Sequence, residues 1–405
     1  MAGGTVVRVL ADFHHHALFE SLRILFEDRF GWELFVPTGM EWYEQNIWNY
    51  ERLHWGEAVA HQYLDAWPTD VDRGDHVERR DGYYPAKVIK RVTLDQFRAQ
   101  KWDFVIATLD HNEEAFAHLA DEVGARFGIE IGNQLGYHRW DLAKFALSAV
   151  KPDPWPSGFP GVTVRQEFDL QQFRYEPPKA LDSVASFVQC FPSGPGYSQF
   201  TMTARLVPEL AWRVFGDYGS TELGPIPPDE FAAGNMNNVD DIADAMRAQS
   251  FAWHTKRWSD GFGHVIHNWA ALGRPLFAWM SYYDGRLDGQ GRRIASDLLV
   301  EGVTGFDITD WAPERVAGLL RELIADPDRY LEMCEATARH FRQLANFDEE
   351  ADQAHLILTG EHAPAAMLGA ARSQSVAAQV AQDAEEAVAS RRSPGSSPGA
   401  VGLLP

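Results

Sequence analysis

Residues 251–285 read FAWHTKRWSDGFGHVIHNWAALGRPLFAWMSYYDG. The apolar run from Ser250 to His254 predicts a strand that carries His254 and Lys256 to its end. Trp258 to Gly261 then reads as a turn, Phe262 to Ala271 as a helix and Pro275 to Met280 as a second strand. A helix placed after such a turn points its first amide N–H groups back toward it. Gly261 and Gly263 let a phosphate reach the backbone, the helix dipole favours negative charge, and Lys256 adds a full positive charge close by. On these residues alone, a glycine-rich turn that simply joins strand to helix accounts for the pattern equally well.

The same alternation extends in both directions. Upstream come a strand at Val184 to Cys190, a glycine-rich turn at Pro192 to Tyr197, a helix at Ser198 to Val207 stopped by Pro208, a strand at Ala211 to Gly216 and a helix at Val239 to Gln249. Downstream, Pro313 to Leu344 is a helical stretch that opens on proline and breaks at Asp326 and Pro327. The chain begins with a strand at Val6 to Asp12, a helix at Ala17 to Phe30 and a strand at Trp32 to Pro37, and repeats the theme with a strand at Asp103 to Leu109 and a helix at Glu113 to Val123. Between them Met40 to Arg91, rich in Trp, Tyr and charge, reads as an insertion of helices and loops rather than sheet. Four prolines in Pro152 to Pro160, with a further pair at Pro177 and Pro178, mark a rigid connection. The predicted class is α/β: two Rossmann-like domains, residues 1–170 and 180–345, facing a central cleft where the carboxyl ends of parallel strands collect ligands. From 361 to 405, Ala, Ser, Gly and Pro dominate, which predicts a disordered tail with transient helix over Gln374 to Ala389.

The stretch DGFGHVIHNWAALGRP from Asp260 resembles the sugar-nucleotide loop and helix of GT-B glycosyltransferases. There an acidic residue, a GFG turn and a second acidic residue eight positions on precede a small-residue, Gly-x-Pro ending. In this chain Asp260 matches the first acid and Asn268 stands at the second. The resemblance implies transfer of a sugar from a nucleoside-diphosphate sugar to a hydroxyl acceptor, with the nucleotide in the second domain and the acceptor in the first. It further implies that Asn268 contacts the ribose, Lys256 the diphosphate, and the Asp260 to Gly263 turn, including Phe262, the transferred sugar and its phosphate, with the amides from Gly261 to His264 relieving charge on the leaving group. Asparagine in place of the usual glutamate leaves the stereochemical outcome open. No DxD-type metal motif is evident, so no metal and no cofactor are expected, the lysine and the helix standing in for the cation. In GT-B proteins a late helix crosses back to the first domain, and Asp326 to Leu344 is expected to do so here.

Other residues offer themselves for the site. Asp12 ends the opening strand and is followed by His14, His15 and His16; an imidazole there suits a hydroxyl-deprotonating base, and Asp12 suits orienting it or capping the next helix. A solvated turn is the alternative for the histidines. Gly194 and Gly196 can present amides to a diphosphate or simply make a turn. Ser281, Tyr282 and Tyr283 end the strand Pro275 to Met280 and can bracket a sugar or base, or pack as an aromatic corner. Asp110, His111 and Glu113 close the strand 103–109, and Glu167 and Asp169 follow a short Val-Thr-Val strand. His264 and His267 share a helix face but lack further ligands at metal spacing. Two other functions fit the same cleft: a nucleotide-sugar epimerase, with Asp110, Glu113 and Glu167 supplying carboxylates, or a non-catalytic sugar-nucleotide or glycan binding protein in which Asn268 marks lost catalysis.

Composition bounds these readings. With 405 residues the chain exceeds one average domain. A balance of 36 basic against 58 acidic residues gives −22, which repels phosphate polymers and anionic bilayers, so bulk nucleic-acid binding is not expected. The two cysteines, Cys190 and Cys334, form neither a CxxC nor a zinc spacing. No secretory leader pattern and no run of about 18 apolar residues appears, and a cytoplasmic protein is expected. The 14 tryptophans suit sugar stacking as well as core packing.

Overall fold

The computed structural model describes residues 6–12, 16–37, 78–80, 88–132, 138–150, 156, 158–221, 224–236, 238–256, 262–283 and 294–361. The predicted turn Trp258 to Gly261, the tail beyond 361 with its transient helix, and most of Met40 to Arg91 lie outside them.

The first lobe is built on β1 (Arg8–Ala11), β2 (Glu33–Pro37), β3 (Glu78–Arg80), β4 (Val88–Val92), β5 (Phe104–Ala107), β6 (Arg126–Ile131), β7 (Phe145–Ser148) and β8 (Gly161–Thr163). They run in the order β3-β4-β2-β1-β5-β6-β7-β8, all parallel except β3 against β4. The strands β3 and β4 correct the reading of Met40 to Arg91 as free of sheet. Lys90 and Arg91 gave β4 a charged look, but Lys90 pairs with Glu27 and the apolar Ile89 and Val92 are buried.

Helix α1 (His16–Arg23), continued by a π-helical stretch at Ile24–Arg29, covers one face of this sheet. Helices α2 (Leu94–Ala99) and α3 (Glu113–Val123) cover the other. Strand residues alternate between the two layers: Val9, Leu34, Phe104, Ile106 and Leu147 face α1, while Leu10, Val105, Ala107 and Ile129 face α3. Burial on both faces explains why these strands are short continuous apolar runs.

The second lobe repeats the plan with β9 (Ser183–Ser186), α4 (Gly196–Leu206), β10 (Ala211–Phe215), a small hairpin of β11 (Ser220–Thr221) and β12 (Gly224–Pro225), β13 (Ala232–Gly234), α5 (Val239–Arg247), β14 (Phe251–His254), α6 (His264–Ala271), β15 (Leu276–Ala278) and β16 (Gly305–Asp307). The six-stranded sheet has the order β13-β10-β9-β14-β15-β16 and is wholly parallel. Numbered from β9, that is 3-2-1-4-5-6, the order of a dinucleotide-binding Rossmann sheet, with its reversal between β9 and β14. The predicted strand Val184 to Cys190 stops at Ser186, and Cys190 turns the chain with a left-handed φ of 54°.

Helices α7 (Pro313–Ala325) and α8 (Pro327–Leu344) separate where Asp326 and Pro327 break the pattern, and Asp326 caps α8. The helix expected to cross back, 326–344, instead stays in the second lobe, with Tyr330, Met333, Cys334 and Phe341 in its cores. The crossing is made by α9 (Phe347–Thr359). Phe347 remains in the second-lobe core while Ala351, Ala354 and Leu358 enter the layer of α1. The outgoing connection runs beside it: Phe168 meets Phe347 at 6.2 Å, Arg29 binds both Glu167 and Asp348, and Arg165 pairs with Glu350. The two passages between lobes are thus fastened to one another. Among the described residues no helix is long and apolar enough to cross a membrane.

Candidate functional site

At the reversal of the second sheet, the chain leaving β9 and the chain leaving β14 converge. Helix α4 starts at Gly196, where an ideal Cβ would stand 1.9 Å from Thr255 O and 2.6 Å from its Oγ1, so no other residue fits without moving backbone. Thr255 Oγ1 donates to Gly196 O at 3.1 Å and accepts from Trp253 Nε1 at 2.8 Å, which fixes the helix start against the end of β14. The first turn of α4 holds no acidic residue and no side-chain cap. The Tyr197 N–H donates to Gly194 O at 3.2 Å, and the helix start directs its positive pole toward the strand ends.

Lys256 follows Thr255 and is half-buried. Its charge acts on the exposed Cys190 thiol, which burial and Asp217 push up and Lys256 pulls down. Of the sequence-predicted residues, Gly196 thus packs on Thr255, the neighbour of Lys256, and Gly194 stands two positions before Gly196.

The second predicted element lies alongside. Gly263 adopts a left-handed φ of 77° as the N-cap of α6, which has neither a side-chain cap nor an acid in its first turn. Phe262 is buried, stacks on His267 at 3.8 Å, and donates its backbone N–H across the cleft to Gly132 O at 3.0 Å. His267 Nδ1 donates to Gly263 O at 3.0 Å, and burial holds its ring down to about 3, so it stays neutral. His264 stands against the Phe262 ring. Asn268 is half-buried, and its Oδ1 has no hydrogen-bond partner among the described residues. Asp260 and Gly261 lie outside the described residues.

Ser281 is turned to the sheet edge, its hydroxyl donating to Asp307 at 3.1 Å, while Tyr282 stacks on Trp279 at 5.9 Å. Tyr283 is fully buried and joined to His254 Nε2 at 2.8 Å, so it packs in the core of the second lobe.

No family model matches this sequence, and no curated protein does either. Solved structures do. The Anabaena protein HepE in complex with UDP-glucose matches at TM-score 0.60 and 12% identity, over 88% of this chain and 100% of that one. Sucrose-phosphate synthase from Thermosynechococcus elongatus matches at 0.55 and 10%, over 87% of this chain and 98% of that one. A glycosyltransferase from Rickettsia africae matches at 0.55 and 10%, over 88% and 99%. The fold is GT-B.

In a GT-B molecule the first lobe faces the second across the cleft with the carboxyl ends of its own strands. Its reversal, between β1 and β5, is held by Asp12. This carboxylate is 1% exposed, accepting from the Thr108 N–H and from Asn112 Nδ2 at 2.8 Å. Asp12 therefore ties the two central strands together beside the histidines. His14 and His15 lie outside the described residues, and His16 opens α1.

Asp110 and His111 form a 3-10 turn after β5. Glu113 opens α3 with a buried carboxylate that takes His138 Nδ1 at 2.6 Å and the Arg139 N–H. His138 was invisible to motif reading because its partner lies in another element. Glu167 is engaged by Arg29, and Asp169 accepts from the Gln171 N–H. Glu130, at the carboxyl end of β6, was also missed: it sits inside an apolar strand, where burial pushes it up to about 8. Among the described residues no group of three His, Cys, Asp or Glu is gathered as a metal site.

Proposed function

We propose that the protein is a glycosyltransferase that moves a sugar from a nucleoside-diphosphate sugar to a hydroxyl acceptor, acting in the cytoplasm without a resident metal ion or cofactor. The observation that carries this reading is the convergence of Gly196, Thr255 and Lys256 at the β9/β14 reversal. In it, a helix start without an acidic cap and an ammonium occupy the place where a diphosphate fits. HepE, of the same fold, was solved with UDP-glucose, which makes that donor the first to try.

In the reaction the acceptor oxygen bonds to the anomeric carbon as the bond from that carbon to the diphosphate oxygen breaks. The α4 amides and Lys256 stabilise the charge that develops on the departing diphosphate, and the two lobes bring donor and acceptor together. The acceptor proton passes to one of His14, His15 or His16, or to the leaving phosphate. Asn268 takes the ribose through its amide. Residues 1–170 would hold the acceptor and 180–345 the nucleotide. The epimerase alternative loses two of its three carboxylates, since Glu113 and Glu167 are bound to His138 and Arg29.

A thermal-shift screen of UDP-, GDP- and TDP-sugars, followed by NMR of donor consumption with and without acceptor alcohols, tests the reading. Stabilisation by one donor class and a new glycosidic signal are expected. Binding with no turnover under any acceptor would replace transfer by a binding role.

A further inference from the structure

The carboxyl group of Glu130 lies at the seam between the lobes. Glu130 is 4% exposed. Its Oε1 accepts from Gln166 Nε2 at 3.3 Å, and its Oε2 is buried with no hydrogen-bond partner among the described residues. Two residues on, a Cβ added to Gly132 would stand 3.1 Å from that Oε2 and 2.9 Å from Gln166 Nε2. The carboxyl group is therefore packed against the Gly132 backbone. Gly132 O is the atom that accepts the Phe262 N–H from the other lobe.

The charged side chains near Glu130 among the described residues come from the end of β1, the segment after β8 and α9. Asp12, from the end of β1, repels its ionised form. Arg165, Glu167 and Glu350 line the same cavity with Ser21 and Leu18 of α1. Of these, Arg165 is paired with Glu350, and Glu167 is bound by Arg29. Across the seam His267, under Phe262, is neutral. Among the described residues the Gln166 N–H favours a carboxylate, but burial outweighs it and Asp12 opposes it, so the neutral acid is the favoured form.

We propose that Glu130 is a positioning residue for the donor loop: as a neutral acid it keeps the Gly132 carbonyl against Phe262, seating the Phe262–Gly263 turn at the cleft, and its ionisation loosens that seat. The role in donor placement rests on the sugar-transfer reading; the coupling of the two lobes does not. Burial raises the Glu130 acid toward about 8, which puts the transition in an accessible pH range.

The test is hydrogen exchange of the full chain, read by mass spectrometry on peptides covering 262–271, from about pH 6.5 to about pH 9.5 with intrinsic rates divided out. Protection in the wild type is expected to fall about tenfold or more through pH 8, and in Glu130→Gln to stay at its low-pH level throughout. Constant protection in the wild type, or the same loss in Glu130→Gln, overturns the proposal. Should Glu130→Gln not fold, carboxyl titration of the wild type by NMR decides. A midpoint near 8 that coincides with a change at the Phe262 amide supports the coupling, and an ordinary midpoint, or no change at that amide, overturns it. No nucleotide is present, so a chain that shows the transition yet binds no nucleotide sugar refutes sugar transfer and leaves the coupling standing.

Discussion

The start of α4 and the end of β14 touch through Gly196 and Thr255, with no room for a Cβ between the helix backbone and the Thr255 carbonyl oxygen. This contact sets the helix N-terminus beside Lys256. Gly196→Ala must therefore shift backbone, at a stability loss of about 1–3 kcal/mol, and move the amides away from the proposed diphosphate position. Among the described residues Gly194 has only Phe191 O near its added Cβ, at 3.3 Å, so Gly194→Ala should be milder. Calorimetric titration of the donor should show affinity reduced about tenfold or more in Gly196→Ala and little changed in Gly194→Ala. Equal affinities would separate α4 from donor binding.

In the proposed diphosphate cradle, Lys256 would supply the full positive charge. Lys256→Ala should lower donor affinity or kcat/KM by about tenfold or more, on the order of 1.4 kcal/mol or greater, with Lys256→Arg retaining part of it because the charge survives. Steady-state kinetics with the donor found in the screen is the measurement. Unchanged constants in Lys256→Ala would falsify the cradle.

The parts of the fold that sequence made legible are those whose pattern is local. The apolar run ending at His254, the proline at the start of α7 and the Asp326–Pro327 break each sit where the reading placed them, because periodicity and caps act within a few residues. The strands β6 and β7 escaped notice, since Glu130 interrupts one apolar run and the other is only Phe145–Ser148. The start of α4 and the end of β14 were each marked as candidates, but their meeting joins positions 196 and 255, and only the sheet order creates it. Glu113 with His138, and Glu130 with Gly132 and Phe262, depend on tertiary placement in the same way.

Glu130 also predicts a pH dependence of stability. Burial raises its acid from the ordinary 4.5 to about 8, with the charge of Asp12 acting in the same direction. Between those values the folded chain holds a proton that the unfolded chain has released. Stability therefore falls as pH rises through that window, by up to about 1.4 kcal/mol per unit. Below the ordinary carboxylate range the contribution is flat. Urea unfolding of Glu130→Gln should show a shallower decline from mildly acidic to mildly basic pH than the wild type. Parallel profiles would mean that the acid titrates normally.

Arg29 holds the two inter-lobe passages together. Its guanidinium is 8% exposed overall as a residue and binds Glu167 from the outgoing segment and Asp348 at the head of α9. Burial pushes the Glu167 acid up even with this partner, so removing Arg29 leaves a mostly enclosed carboxylate without its cation. Arg29→Met should destabilise the chain by about 3 kcal/mol, the penalty of an orphaned buried charge rather than the net value of the pair. Adding Glu167→Gln to Arg29→Met should recover a substantial part, since it removes the orphan. Asp348 is partly solvated, so Asp348→Asn alone should be mild. Urea unfolding of the two single variants and the double variant separates the contributions. If the double variant is as unstable as Arg29→Met, the loss comes from the packing of the Arg29 stem between α1 and the crossing segments, and not from the unpaired carboxylate.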